Sequence, residues 1–275
     1  KKKYKIFDII KKKNSNKFKN ITYNNLNLLN FKKTSEFLDK INPTCVIHLG
    51  TENPNYVELQ KKMDFYKKNL KATKNLINYF SLKKNNKKLI LVGSSQMYSK
   101  SKKTVNLNSK FNPANSYANF RVESYKYMVK KKKKHKLNMT TAILFNHDSM
   151  YRKKKFLIPR LVKFIKSKNF KKVDEIYQEN ISADFSHAED ICYGIYKLII
   201  TEKNPDKLIF SSNTKTYIND LINFLLKKNK IKKRFTTNKI ISNSTPIGDN
   251  SLSKKILKWN IKKNIFLAAN ELNKI

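Results

Sequence analysis

The chain has 275 residues, 39% of them hydrophobic and 12% aromatic, which is enough for one large domain or two intimate ones and excludes a disulfide-stapled module or a purely solvated chain. A formal charge of +42 invites a nucleic-acid reading, yet only Arg121, Arg152, Arg160 and Arg234 among the 61 basic residues carry the bidentate guanidinium that base and phosphate readers use. Lysine (57) and asparagine (36) are scattered through every segment as a compositional background, so no specific nucleic-acid partner is expected.

Short apolar runs alternate with longer amphipathic stretches, the pattern of parallel strands joined by crossover helices, and this predicts an α/β fold. Residues 4–10 read as a strand and 21–23 begin a second. Residues 34–41 read as a helix closed by Asn42-Pro43. The run CVIHL at 45–49 is a buried strand ending at Gly50, with His48 a core histidine. Helical spacing covers 56–80, LILV at 89–92 is a strand ending at Gly93, and a helix runs from 116 to about 129. The run of lysines at 130–134 reads as its solvated end, where cations also suit the helix dipole. A strand follows at 141–145. Beyond Asn146 the spacing predicts helices at 156–165, 190–200, 218–225, 251–257 and 261–272, a mixed stretch at 176–185 and a last strand at 208–210.

Cys45 and Cys192 form no spaced pair, and no His, Asp and Glu cluster has metal spacing, so neither a disulfide framework nor a metal site is expected. No apolar run reaches bilayer length, and the lysine-rich start lacks the apolar stretch of a signal peptide, so a cytoplasmic protein without membrane contact is expected.

The chemistry concentrates in VGSSQMY at 92–98 and SYANFR at 116–121. A hydroxyl at a strand's carboxyl end and a tyrosine on the next helix can meet above a parallel sheet, and a spacing of four places Tyr117 and Arg121 on one helical face. A phenol exchanges protons near neutral pH only beside a cation that stabilises its phenolate.

Five further segments carry a resemblance. LFNHDS at 144–149 is similar to a family segment LFNHES, and DFSHAED at 184–190 to DWGHAKD. Residues 4–12 are similar to a second strand ending in a basic pair, NLKATKNLI at 69–77 to NxxGTxNLL, and Gly248-Asp249 with KKILKW at 254–259 to GDxSKAKKxLGW. In these the chain resembles the extended short-chain dehydrogenase/reductases that act on nucleotide sugars, most closely the GDP-mannose 4,6-dehydratases, over nearly its whole length. The resemblance implies a Rossmann-type doubly wound parallel sheet whose first strand and glycine loop are missing from the given sequence, with a smaller C-terminal substrate domain. It allots 1–148 and about 184–211 to the nucleotide-binding domain and 149–183 with 212–275 to the substrate domain.

By the same resemblance Ser94, Gln96, Tyr117 and Arg121 fall on catalytic positions. Lys11 and Lys12 would meet the 2′-phosphate of NADP, with NAD the other possibility. Asn27, Leu28, Leu49, Gly50, Thr51, His147 and Arg152 fall on cofactor positions, and Asn146 on the sugar-nucleotide position. A homo-oligomer acting on a nucleotide-diphosphate sugar, GDP-mannose in particular, is implied. The chain departs from the family pattern in Gln96 for a glutamate, Arg121 for a lysine, Ser94 for a threonine and Ala183 for an arginine. A 4-keto-sugar reductase, an epimerase or a catalytically degenerate homologue therefore stand beside the dehydratase reading.

Overall fold

The computed structural model describes residues 5–9, 19–51, 62–83, 87–99, 104–236 and 243–275, and the chain divides into two compact units, Lys1–Val92 with Asn115–Thr140 and Gly93–Ala114 with Thr141–Ile275. The fold is α/β with parallel strands, of the Rossmann type.

In the first unit β1 (Ile6–Ile9) pairs parallel with β2 (Ile21–Asn24). Helix α1 (Phe31–Ile41) leads to β3 (Cys45–His48), and α2 (Lys62–Lys83) leads to β4 (Lys88–Ser94), which pairs parallel with β3 from Cys45 opposite Lys88 to His48 opposite Leu91. Helix α3 (Ser116–His135) starts at Asn115, whose side chain accepts from the Ala118 N–H, and stops at Lys136 in the left-handed conformation. The lysine run therefore is helical to its end. Leu38, Leu76, Phe80, Leu89, Leu91 and Met128 form the core between these helices and strands. Helix α2 also sets a loop: the Asn75 amide donates to the carbonyls of Leu28 (2.8 Å) and Leu29 (3.2 Å), fastening the turn after β2.

In the second unit β5 (Met139–Leu144) pairs parallel with β8 (Lys207–Phe210). A second strand layer is built on β7 (Ile181–His187), flanked by β6 (Asn146–Asp148) and β10 (Asn243–Ser244) in parallel and by β9 (Lys215–Tyr217) in antiparallel. Helices α4 (Leu157–Lys166), α5 (Phe170–Gln178), α7 (Ile218–Lys228) and α9 (Ile265–Lys274) share one core through Leu161, Val173, Leu221, Leu225, Ile265 and Ala268. Helix α6 (Ala188–Ile200) begins at His187, whose ring accepts the Glu189 N–H, and α8 (Ser251–Leu257) precedes the fully buried Trp259.

One helix expectation is corrected. The stretch read as helical from 261 starts at Ile265, because the N–H groups of Lys262 and Lys263 donate to the Asp190 carboxylate at 2.7 and 2.6 Å and Asn264 caps the helix. The strand predicted at 4–10 is described at Ile6–Ile9, and Lys11 and Lys12 lie outside the described residues.

Candidate active site

Arg121 sits one turn after Tyr117 on α3 and is 8% exposed. Its Nη1 donates to the Val92 carbonyl, and its Nη2 donates to Thr51 Oγ1 at 2.6 Å and lies 3.5 Å from Tyr117 Oη. The guanidinium lies 5.3 Å from the Tyr117 ring centroid and 4.8 Å from that of Phe120, and the two rings meet edge to face. Aromatic faces favour a cation at such distances. Tyr117 is half-buried.

The turn after β3 is part of the same cluster. Thr51 N–H donates to the Leu49 carbonyl at 2.8 Å, and Leu49 is 62% exposed although His48 before it is buried. His48, 3% exposed, meets Thr73 Oγ1 through Nε2 at 3.0 Å. Thr73 spends its own proton on the Asn69 carbonyl at 2.8 Å, so the histidine is the donor and its Nδ1 carries no proton. Burial first and the Arg121 charge second push the His48 pKa down to about 3. Asn27 and Leu28 lie in the turn that Asn75 holds, with Asn27 Oδ1 accepting the Leu29 N–H.

In the second unit Ser94 ends β4, and its hydroxyl accepts the Gln96 N–H at 3.2 Å, capping a short 3₁₀ turn, Ser95–Tyr98. Gln96 is exposed. A Cβ at Gly93 would lie 3.0 Å from Met97 Sδ and 3.2 Å from side-chain atoms of Thr141 and Ile143, a tight fit in which those side chains would have to give. Asn146 donates through its amide to the Asp184 carbonyl at 3.2 Å, and His147 Nδ1 donates to the Phe145 carbonyl at 2.7 Å. Burial keeps the His147 pKa below its ordinary value; the Phe145 bond opposes this and Arg152 adds to it. Arg152 stacks 3.6 Å from the Phe156 ring centroid and lies 2.9 Å, Nε to Oδ1, from Asp148, at an angle poor for a hydrogen bond. Burial pushes Asp148 up to about 6 against the pull of Arg152. The fully buried Asp184 accepts from Ser212 N–H and Oγ at 2.7 Å, Asn213 N–H at 3.0 Å and Gly248 N–H at 3.2 Å, tying the loop after β8 beneath this set.

Tyr117, Arg121 and Thr51 are therefore in one cluster of the first unit with Leu49 and Gly50 beside them, while Asn146, His147 and Arg152 gather in the second. Asp148 was missed from the sequence: it ends β6 and Arg152 lies in the turn that follows, so their spacing of four carried no helical signal. Val92 was also missed, because a backbone carbonyl carries no residue-type signal at all. Among the described residues no group of His, Cys, Asp or Glu could hold a metal ion, and no helix is long and apolar enough to cross a membrane.

The molecule is one of the short-chain dehydrogenase/reductase type nucleotide-sugar epimerases and dehydratases. The sequence family described as GDP-mannose 4,6 dehydratase matches residues 2–264, and the chain belongs to that family. No curated protein matches it significantly. The dTDP-glucose 4,6-dehydratase of Bacillus anthracis, solved with NAD, is similar with a TM-score of 0.78 at 14% identity over 93% of this chain and 79% of that one. The UDP-glucuronic acid 4-epimerase of Bacillus cereus, also solved with NAD, reaches 0.75 at 15% over 94% and 82%. The UDP-glucose 4-epimerase of Thermotoga maritima, solved with UDP-glucose, reaches 0.79 at 12% over 98% and 90%. At these identities the likeness shows the fold alone.

Proposed function

We propose that the chain is an NADP-linked nucleotide-sugar enzyme of the 4,6-dehydratase type, acting in the cytoplasm on a nucleotide-diphosphate sugar with GDP-mannose the first candidate. The observation that carries this is the Tyr117 phenol beside a guanidinium that is nine-tenths buried. Low-dielectric surroundings strengthen that charge's hold on a phenolate, which is what lets a tyrosine take and return a hydroxyl proton.

The residues present fit a nicotinamide dinucleotide in the first unit. Leu49, exposed just past the end of β3, offers an apolar wall to a planar base, and Asn27 and Leu28 sit in a turn already fastened by Asn75. Lys11 and Lys12 are the groups proposed for a 2′-phosphate, and His147 and Arg152 for further cofactor contacts. When bound, the cofactor supplies reversible hydride transfer at the sugar's C4. Tyr117, as the phenolate that Arg121 stabilises, takes the proton of the 4-hydroxyl and becomes the neutral phenol, Ser94 contributes a hydroxyl from the end of β4, and Asn146 holds the sugar nucleotide.

Gln96 favours a second reading, a 4-keto-sugar reductase or epimerase. Elimination across C5 and C6 needs a base for the C5 proton, an amide has none near neutral pH, and losing a general base typically costs about 10²–10⁴ in rate. The deciding experiment is single-turnover reaction of GDP-mannose with product analysis and solvent deuterium, in the parent chain and in Tyr117→Phe and Gln96→Glu. Tyr117→Phe should stop oxidation at C4, and Gln96→Glu should raise deuterium entry at C5 more than it raises C4 oxidation. Full C4 oxidation by Tyr117→Phe would overturn the catalytic assignment. No gain from Gln96→Glu would favour the reductase or epimerase.

A further inference from the structure

Arg121 is buried where a cation is expensive to place. Nη1 is given to the Val92 carbonyl in β4 and Nη2 to the Thr51 hydroxyl after β3, while Tyr117 Oη is the most distant of the three acceptors at 3.5 Å. Nε is buried with no acceptor. An ion desolvated in this way is costly and persists only where its donors meet well-placed acceptors. Here two of those acceptors are neutral groups belonging to separate strand ends. A planar fork can address both at once, whereas a lysine ammonium, a point charge on a flexible stem, holds no such fixed geometry.

The turn from His48 to Thr51 is pinned from both sides. His48 is anchored to α2 through Thr73, and Thr51 is anchored to α3 through Arg121, with the Thr51 N–H closing the turn on Leu49. We propose that Arg121 is a positioning residue whose fork fastens Thr51 to α3 and to the end of β4, so that the wall made by Leu49, Gly50 and Thr51 is already set when a dinucleotide arrives. What the wall receives rests on the function proposed above; the fastening does not.

The test uses the full chain and two substitutions of a half-buried residue that should fold. Thr51→Val removes the hydroxyl at nearly constant volume and should lower the unfolding midpoint by about 2–4 °C. It should also weaken NADPH binding, followed by fluorescence, by about tenfold. Thr51→Ser keeps the hydroxyl and should restore both midpoint and affinity. Arg121→Lys should lower the midpoint as well, and adding Thr51→Val to it should lower the midpoint little further, because both remove one contact. Additive midpoints, a Thr51→Val protein equal to the parent, or a Thr51→Ser protein as impaired as Thr51→Val would overturn the proposal. Failure of the parent chain to bind NADPH would instead count against the proposed function, with the midpoints still deciding the fastening.

Discussion

His48 and Asp148 are buried titratable groups with opposite effects on stability. Free histidine titrates near 6.5, but His48 stays neutral in the fold down to about 3, so the unfolded chain takes up this proton first as pH falls. Its contribution is complete above about 6.5 and is lost progressively towards 3. His48→Asn should therefore be less stable than the parent at pH 7, with the gap narrowing at pH 4.5 in urea unfolding. An unchanged gap would mean that His48 is charged in the fold. Asp148 runs the other way, its carboxyl being raised from an ordinary 3.8 to about 6 by burial. The fold holds a proton that the unfolded chain has released, so the cost of burying the ionised form grows from about pH 4 and is complete above about 6. Asp148→Asn should gain about 1–3 kcal/mol on the parent between pH 4 and pH 7. A gain equal at both values would show that the effect is not the carboxylate charge.

Helix α6 shows what one side chain can do to an element. A Cβ at Gly194 would lie 2.7 Å from Phe210 Cε1 and 2.9 Å from Trp259 Cε2, and rings packed in a core cannot yield as a flexible chain end would. Gly194→Ala should thus destabilise by about 1–3 kcal/mol, although alanine is the better helix former by about 1 kcal/mol. A chemical denaturation midpoint at or above the parent's would show that the rings can move. Elements with a full period were legible in the sequence, as α6, α7 and the apolar runs of β3 and β4 show. Strands β6, β9 and β10, of three, three and two residues, were not, since so few positions cannot display an alternation. The start of α9 was misread because the Asp190 carboxylate, far away in sequence, takes the two N–H groups that the apolar spacing assigned to a helix. In the candidate site the spacing of Tyr117 and Arg121 was visible, but the Val92 carbonyl and the Thr51 hydroxyl became partners of Arg121 only through tertiary folding.

For the whole molecule the charge of +42 opposes compaction through self-repulsion, and salt screens it over about 8–10 Å at moderate ionic strength. The thermal midpoint should therefore rise from low salt to about 0.5 M NaCl; a flat response would mean that the lysines are already locally compensated. The division of the chain also sets an order of events during synthesis. All segments of the first unit have left the ribosome once residue 140 has emerged, whereas the second begins at Gly93 and its core waits for Ile265, Ala268 and Ala269 of α9. Domains fold as their segments become available, and incomplete ones expose apolar surface. Val105, translated early, meets its backbone partners Ile247 and Asp249 only late, and in that interval a holding chaperone would find it uncovered.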